Sequence, residues 1–205
     1  MILSACTKTV DNNAAQNNSA SLWPLKTGNV WVYQDSSFDA NGNTIDSYSD
    51  SSFISNQTTN SNGITLYAYN DALGWFGASG YVGVDGSNNT LSSMDSINTS
   101  SYLFFSWTPS GGILNDSTGE FSNSNSAESD MLYGFKTTFN INGYTCYKNL
   151  ENVTDVDGNV IYANVYYVSP GIGVVRIEEY SLNPNSPTYS LYLDYSQTLK
   201  SYKLN

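Results

Sequence analysis

The sequence predicts an all-β protein, with room for one or two short helices, built as a single antiparallel, curved sheet of half-barrel or meander type. Three observations predict it. Short apolar-aromatic runs alternate with clusters of Gly, Asn, Asp and Ser from residue 21 onward, no long segment repeats its apolar residues with a helical period, and the runs are rich in Tyr, Thr and Val. In the last third the runs follow one another across short polar turns. That spacing leaves no room for the crossover helices that parallel strands require.

Taken in order, Val30-Trp31-Val32-Tyr33 is the first strand. Pro24 keeps Trp23 extended, and Gly28-Asn29 turn the chain into it. Ile64–Tyr69 and Tyr102–Trp107 are the next runs, followed by Phe135–Phe139, Tyr144–Leu150, Val160–Val168, Gly173–Tyr180, Tyr189–Tyr195 and Leu199–Leu204. Pro170-Gly171 turns the chain between two of these, and Gly173 permits a bend or a close backbone approach. Asp39-Ala40-Asn41-Gly42-Asn43 and Asp155-Val156-Asp157-Gly158-Asn159 are similar, and both read as tight hairpin turns in which Gly supplies the positive φ. Segments 85–101 and 109–130 are polar with few apolar anchors and are expected to be long loops, the first with a helical turn over Asn88–Asp95.

Composition narrows the chemistry. The chain has 205 residues, of which only 12% are charged and 14% aromatic, including 17 Tyr. Solubility must therefore come from Ser, Thr, Asn and Gly. A net charge of -11 repels phosphate backbones, so no nucleic-acid partner is expected. With no His in the sequence, Ser-His and Cys-His nucleophile pairs and His-ligated zinc are excluded.

The N-terminus carries an address. Leu3-Ser4-Ala5-Cys6 resembles the lipobox of bacterial lipoproteins, in which small residues fit the signal peptidase and the thiol of the Cys accepts the lipid. The charged and most of the apolar parts of a full signal are absent before it, so residues 1–6 are expected to be a truncated signal with Cys6 the lipidated residue. Residues 7–20, polar and poor in apolar side chains, are expected to be a flexible tether, and 21–205 a single β-rich domain. This predicts a membrane partner through the lipid and a place in the cell envelope, at the outer membrane. Cys146 is then left alone as a buried, reduced thiol.

Candidate sites are few. Asp155 and Asp157 could share a calcium ion, but the loop lacks the spacing of an EF-hand: Gly158 is fourth and Tyr166 twelfth. Adjacent Glu178 and Glu179 point to opposite faces of a strand and cannot act as a pair. Arg176 is the only arginine and a candidate anion contact. The aromatic surplus is the better lead. Tyr67, Tyr69, Trp75, Tyr102 and Trp107 could line a surface for a glycan or an apolar ligand, although strand aromatics usually fill cores. No cofactor is implied. The expected role is non-catalytic binding of a ligand or partner at the envelope. The alternatives are a carrier holding an apolar lipid in a concave sheet, and a carbohydrate-active hydrolase with two carboxyls in a cleft.

Two segments resemble uncharacterised envelope lipoproteins of Bacteroidetes type: Pro24-Leu25-Lys26-Thr27-Gly28-Asn29-Val30-Trp31-Val32-Tyr33, a Pro-Leu-x-x-Gly-x-x-Trp-x-Tyr opening, and Gly171-Ile172-Gly173-Val174-Val175 near the end. The resemblance implies a curved antiparallel sheet of half-barrel type, broadly like lipoprotein-carrier folds. Its motifs are structural rather than catalytic.

Overall fold

The computed structural model describes residues 23–59, 63, 65–70, 80–84, 89–93, 102–109, 111–119, 128–186 and 188–205. Among them the chain forms twelve strands and no helix: β1 Val30–Phe38, β2 Thr44–Thr59, β3 Thr65–Asn70, β4 Tyr81–Val84, β5 Asn89–Ser93, β6 Tyr102–Ser106, β7 Gly112–Gly119, β8 Glu128–Ile141, β9 Tyr144–Thr154, β10 Val160–Ser169, β11 Gly173–Leu182 and β12 Leu191–Lys203. The predicted truncated signal, Cys6 and the tether lie outside the described residues, as does Trp75.

All twelve strands belong to one sheet, in the order β6-β5-β4-β3-β2-β1-β12-β11-β10-β9-β8-β7. Every strand pairs antiparallel with a chain neighbour, except that β1 and β12 pair with each other in the middle. The sheet is therefore two meanders joined along β1 and β12. One runs outward from β1 to β6 and the other from β7 inward to β12. β6 and β7 lie at opposite edges of the sheet, yet residues 107–111 are all that separate them in the chain. So short a link forces the sheet to curl until its edges approach. The result is the half-barrel that the sequence predicts.

Three sequence expectations are corrected. Segment 85–101 carries strand β5, paired with β4 and β6, where a loop with a helical turn is predicted, and segment 109–130 carries β7 and the start of β8. Tyr189–Tyr195 and Leu199–Leu204 are not two strands but parts of one, β12, running through the polar Ser196-Gln197-Thr198. β2, with sixteen residues rich in Ser, Thr and Asp, is not predicted at all. The physical reason is shared: a polar run becomes a strand when a neighbour supplies its ladder partners. Only tertiary placement decides that.

The apolar end of the half-barrel is packed with rings. Trp23, buried, lies 5.3 Å from Tyr69, 5.4 Å from Trp107 and 6.5 Å from Trp31, centroid to centroid, in tilted arrangements. Trp31 Nε1 donates to the Ile172 carbonyl at 2.7 Å and Tyr33 Oη to the Val174 carbonyl at 3.1 Å. Between these acceptors sits Gly173, at φ 127°, where a Cβ would stand 2.9 Å from Trp31 Nε1 and 3.2 Å from Trp23 Nε1. Only glycine leaves room for both indoles. The opening motif is anchored by Asn29, buried, whose Oδ1 accepts from the Asn205 N–H at 2.8 Å and whose Nδ2 donates to the Pro24 carbonyl. Both resemblance motifs thus serve the same end of the core.

Candidate functional site on the inner face

The inside of the curl is identified by one side chain. Asn149 on β9 faces inward and bonds to the backbone of Ser106 on the far edge strand β6, accepting from its N–H at 3.0 Å and donating to its carbonyl at 2.9 Å. Because side chains alternate across a strand, the register then assigns a whole row to that face. Asp35 (β1), Gln197 (β12), Ile177 (β11), Tyr166 (β10) and Asn149 (β9) are successive register partners, and all are buried. Two residues along each strand, away from the indoles, lies a second inner row of Ser37, Tyr195, Glu179, Asn164 and Glu151. The inner face thus passes from tryptophan at one end to acid, amide and phenol at the other.

These polar groups are wired across the strands. Tyr195 Oη donates to Asp35 Oδ1 at 2.8 Å, Tyr162 Oη to Glu179 Oε2 at 3.1 Å, and Tyr166 Oη to Glu151 Oε2 at 2.9 Å. Glu151 Oε2 also accepts from Asn164 Nδ2 at 2.7 Å. Each of the three carboxylates is therefore held by a tyrosine. Burial raises the pKa of Asp35 despite the opposing pull of Tyr195 and Gln197, and burial likewise raises Glu179 against the pull of Tyr162. The phenols of Tyr162, Tyr166 and Tyr195 are pushed up by burial and by the carboxylates they face. At neutral pH they stay protonated donors. Toward β2 the inner face opens, and Tyr48, the register partner of Asp35, is 41% exposed.

The sequence-predicted residues are placed differently. Tyr69 and Trp107 are buried among the indoles, and Tyr67 is partly buried against the same core. Tyr102 lies on edge strand β6. Arg176, alternating with Ile177, lies on the outer face, where its Nε meets Glu178 Oε1 at 2.8 Å while Tyr180 Oη donates to Glu178 Oε2 at 3.0 Å. Glu178 and Glu179 do stand on opposite faces. Asp155 spends its carboxylate on its own turn, accepting from the Asp157 and Asn159 N–H groups at 2.9 Å each, and its pKa is lowered chiefly by the Asn159 side chain. Asp39 repeats this with Asn41 and Asn43, both N–H groups at 2.9 Å. Both turns are the predicted hairpins, with Gly42 at φ 83° and Gly158 at φ 80°. Among the described residues no group of three or more Cys, Asp or Glu is arranged to hold a metal ion.

The sequence reading misses Asp35, Glu151, Glu179 and Asn164 as a group. A signal exists in the period-two spacing of polar residues, Asn149-x-Glu151 and Tyr162-x-Asn164-x-Tyr166, beside apolar Leu150, Ala163 and Val165. Ordinary patterning assigns the apolar set to the core face; here the polar set faces inward.

No family model matches the chain, and no curated protein does. Two solved structures resemble the chain. One is a presumed exported protein of Bacteroides fragilis with a YmcC-like fold, 14% identical, aligned over 89% of this chain and 98% of that one with a TM-score of 0.43. The other is a presumed lipoprotein of Parabacteroides distasonis, 16% identical, aligned over 89% and 98% with a TM-score of 0.40.

Proposed function

We propose that the chain is a lipid-anchored protein of the bacterial cell envelope that binds a polar ligand or partner, without catalysis, in the polar end of its half-barrel. The anchor reading rests on Leu3-Ser4-Ala5-Cys6 and the polar segment after it. The observation that carries the binding reading is the second inner row, where Glu179, Asn164 and Glu151 lie side by side on three adjacent strands instead of core hydrophobes. Burying carboxylates and an amide costs stability, which makes the row a better candidate for recognition than for folding. An apolar ligand would have to displace Trp23, Trp31 and Trp107, which fill the other end.

The anchor is tested by placing the chain behind a bacterial lipoprotein export signal and weighing the exported product. Diacylglycerol on Cys6 is expected, and export with an unmodified Cys6 overturns the anchor. Binding is tested by titrating the exported protein with neutral oligosaccharides, diamines and fatty acids while the ligand is assayed for change. Saturable binding of a hydrophilic class, with the ligand recovered intact, is expected. Turnover, binding of fatty acid alone, or no binding by any class overturns the reading.

A further inference from the structure

We infer that the polar end of the half-barrel takes a ligand bearing a primary ammonium group, seated against Asn164 Oδ1 between Glu151 and Glu179. The inference rests on the reading of this face as a polar binding site and names the chemistry it selects. Three features point the same way.

The first is an orphan acceptor. Asn164 is 8% exposed, its Nδ2 is used by Glu151, and its Oδ1 has no hydrogen-bond donor. Asn164 pairs in register with Glu151 on one side and Glu179 on the other, so the unfilled oxygen lies between two carboxylate-bearing residues. Buried amide oxygens are rarely left unpaired, because such a group loses its water without gaining a partner. Asp35, wholly buried in the adjacent row, also has an oxygen, Oδ2, without a donor.

The second is the direction of the missing hydrogen bonds. The phenols of Tyr162, Tyr166 and Tyr195 already donate to Glu179, Glu151 and Asp35. A phenol has one hydrogen to give, so these three have spent theirs on the carboxylates and leave Asn164 Oδ1 without a donor. A ligand must bring donors of its own. A carboxylate brings none.

The third is charge. Asp35, Glu151 and Glu179 carry carboxylates on the face, and among the described residues no cation is paired with them. Arg176 is turned to the outer face with Glu178. Lys148, its neighbour in the same outer row through Tyr167, lies over the Phe135 ring at 5.1 Å. Lys26 donates to the Asn205 carbonyl, while Lys136, Lys200 and Lys203 are exposed. An ammonium supplies three donors and the opposite charge together, which a neutral hydroxyl does not.

Calorimetric titration with 1,4-diaminobutane, 1,4-butanediol and tetramethylammonium separates these contributions: the diol keeps donors without charge, and the quaternary ion keeps charge without donors. Saturable binding of the diamine is expected, at least tenfold tighter than either control. Asn164→Leu and Glu179→Gln are each expected to weaken it tenfold or more with the thermal midpoint monitored, and Glu179→Gln keeps the test intact should Asn164→Leu fail to fold. Diamine binding unchanged in Glu179→Gln places the cation elsewhere on the acidic surface and overturns the inference. Binding of the diol but not the diamine overturns the ammonium assignment while the polar-ligand reading stands. Binding of fatty acid alone, with neither polar compound bound, overturns both.

Discussion

Asn149 and Ser106, 43 residues apart in the chain, exchange two hydrogen bonds across the inside of the half-barrel, and this pair ties edge strand β6 to interior strand β9. Asn149 is fully buried and Ser106 nearly so. The amide does for one peptide group what a neighbouring strand would do for many. It satisfies part of an open edge that would otherwise invite pairing with another chain.

Replacing Asn149 by Leu keeps the branched shape and leaves the Ser106 N–H and carbonyl buried without partners. At about 1–3 kcal/mol for each of these two groups, a loss of about 2–6 kcal/mol is expected. For a chain of this size that lowers the thermal midpoint by about 4–24 °C. Calorimetry checks the loss, and a midpoint within 2 °C of wild type would show that the bridge is not needed to hold the curl.

Gly173→Ala should be more damaging than Gly158→Ala, although both glycines have positive φ. At Gly158 nothing lies within 4 Å of a built Cβ, so only backbone strain of about 1 kcal/mol is added. At Gly173 the Cβ meets Trp31 Nε1 at 2.9 Å, and Trp31 is pinned by its bond to Ile172. A further loss of about 1–3 kcal/mol is expected from overpacking. Equal midpoints for the two variants in urea would contradict the packing account.

Asp35 sets a sign for the pH dependence of stability. Its folded pKa is raised above the unfolded value near 3.8, so its contribution is fully present below that value and is lost as pH rises through the folded pKa. Asp35→Asn removes this titration and keeps an oxygen to accept from Tyr195. The variant is expected to match or exceed wild type at pH 7 and to lose that advantage as pH falls toward 4. Asp39 and Asp155, lowered by their turns, act in the opposite direction, with their contributions lost as pH falls through their folded values. Urea midpoints measured from pH 4 to pH 8 decide the matter; a constant difference between Asp35→Asn and wild type would refute it.

Cys146 is predicted to be inert in the folded chain. Burial pushes its thiol up from 9.0 to about 12, a shift that alone cuts the thiolate fraction about a thousandfold near neutral pH. Modification by a thiol-directed aromatic disulfide at pH 8 should be slower by at least that factor in native protein than in urea. Rapid native labelling at Cys146 would show that this end of the core opens.

The division between what was legible and what was not follows particular residues. Val30-Trp31-Val32-Tyr33 and the run from Val160 to Tyr180 declare strands through local composition, and Asp39 to Asn43 and Asp155 to Asn159 declare turns, because their hydrogen bonds close within five residues. Local patterns of that kind determine an all-β antiparallel fold, the hairpin turns, the lack of imidazole chemistry and the acidic charge. β2, β5 and β7 carry no such pattern and became strands only because a neighbour completed their ladders. The site belongs to the same second group. Asp35, Glu151, Asn164 and Glu179 are scattered through the sequence, and each alone is an ordinary polar strand residue. Pairing β1 with β12 and curling the sheet set them on one inner face. Which face of a strand becomes the inside is decided by long-range pairing and closure, and no local period encodes that choice.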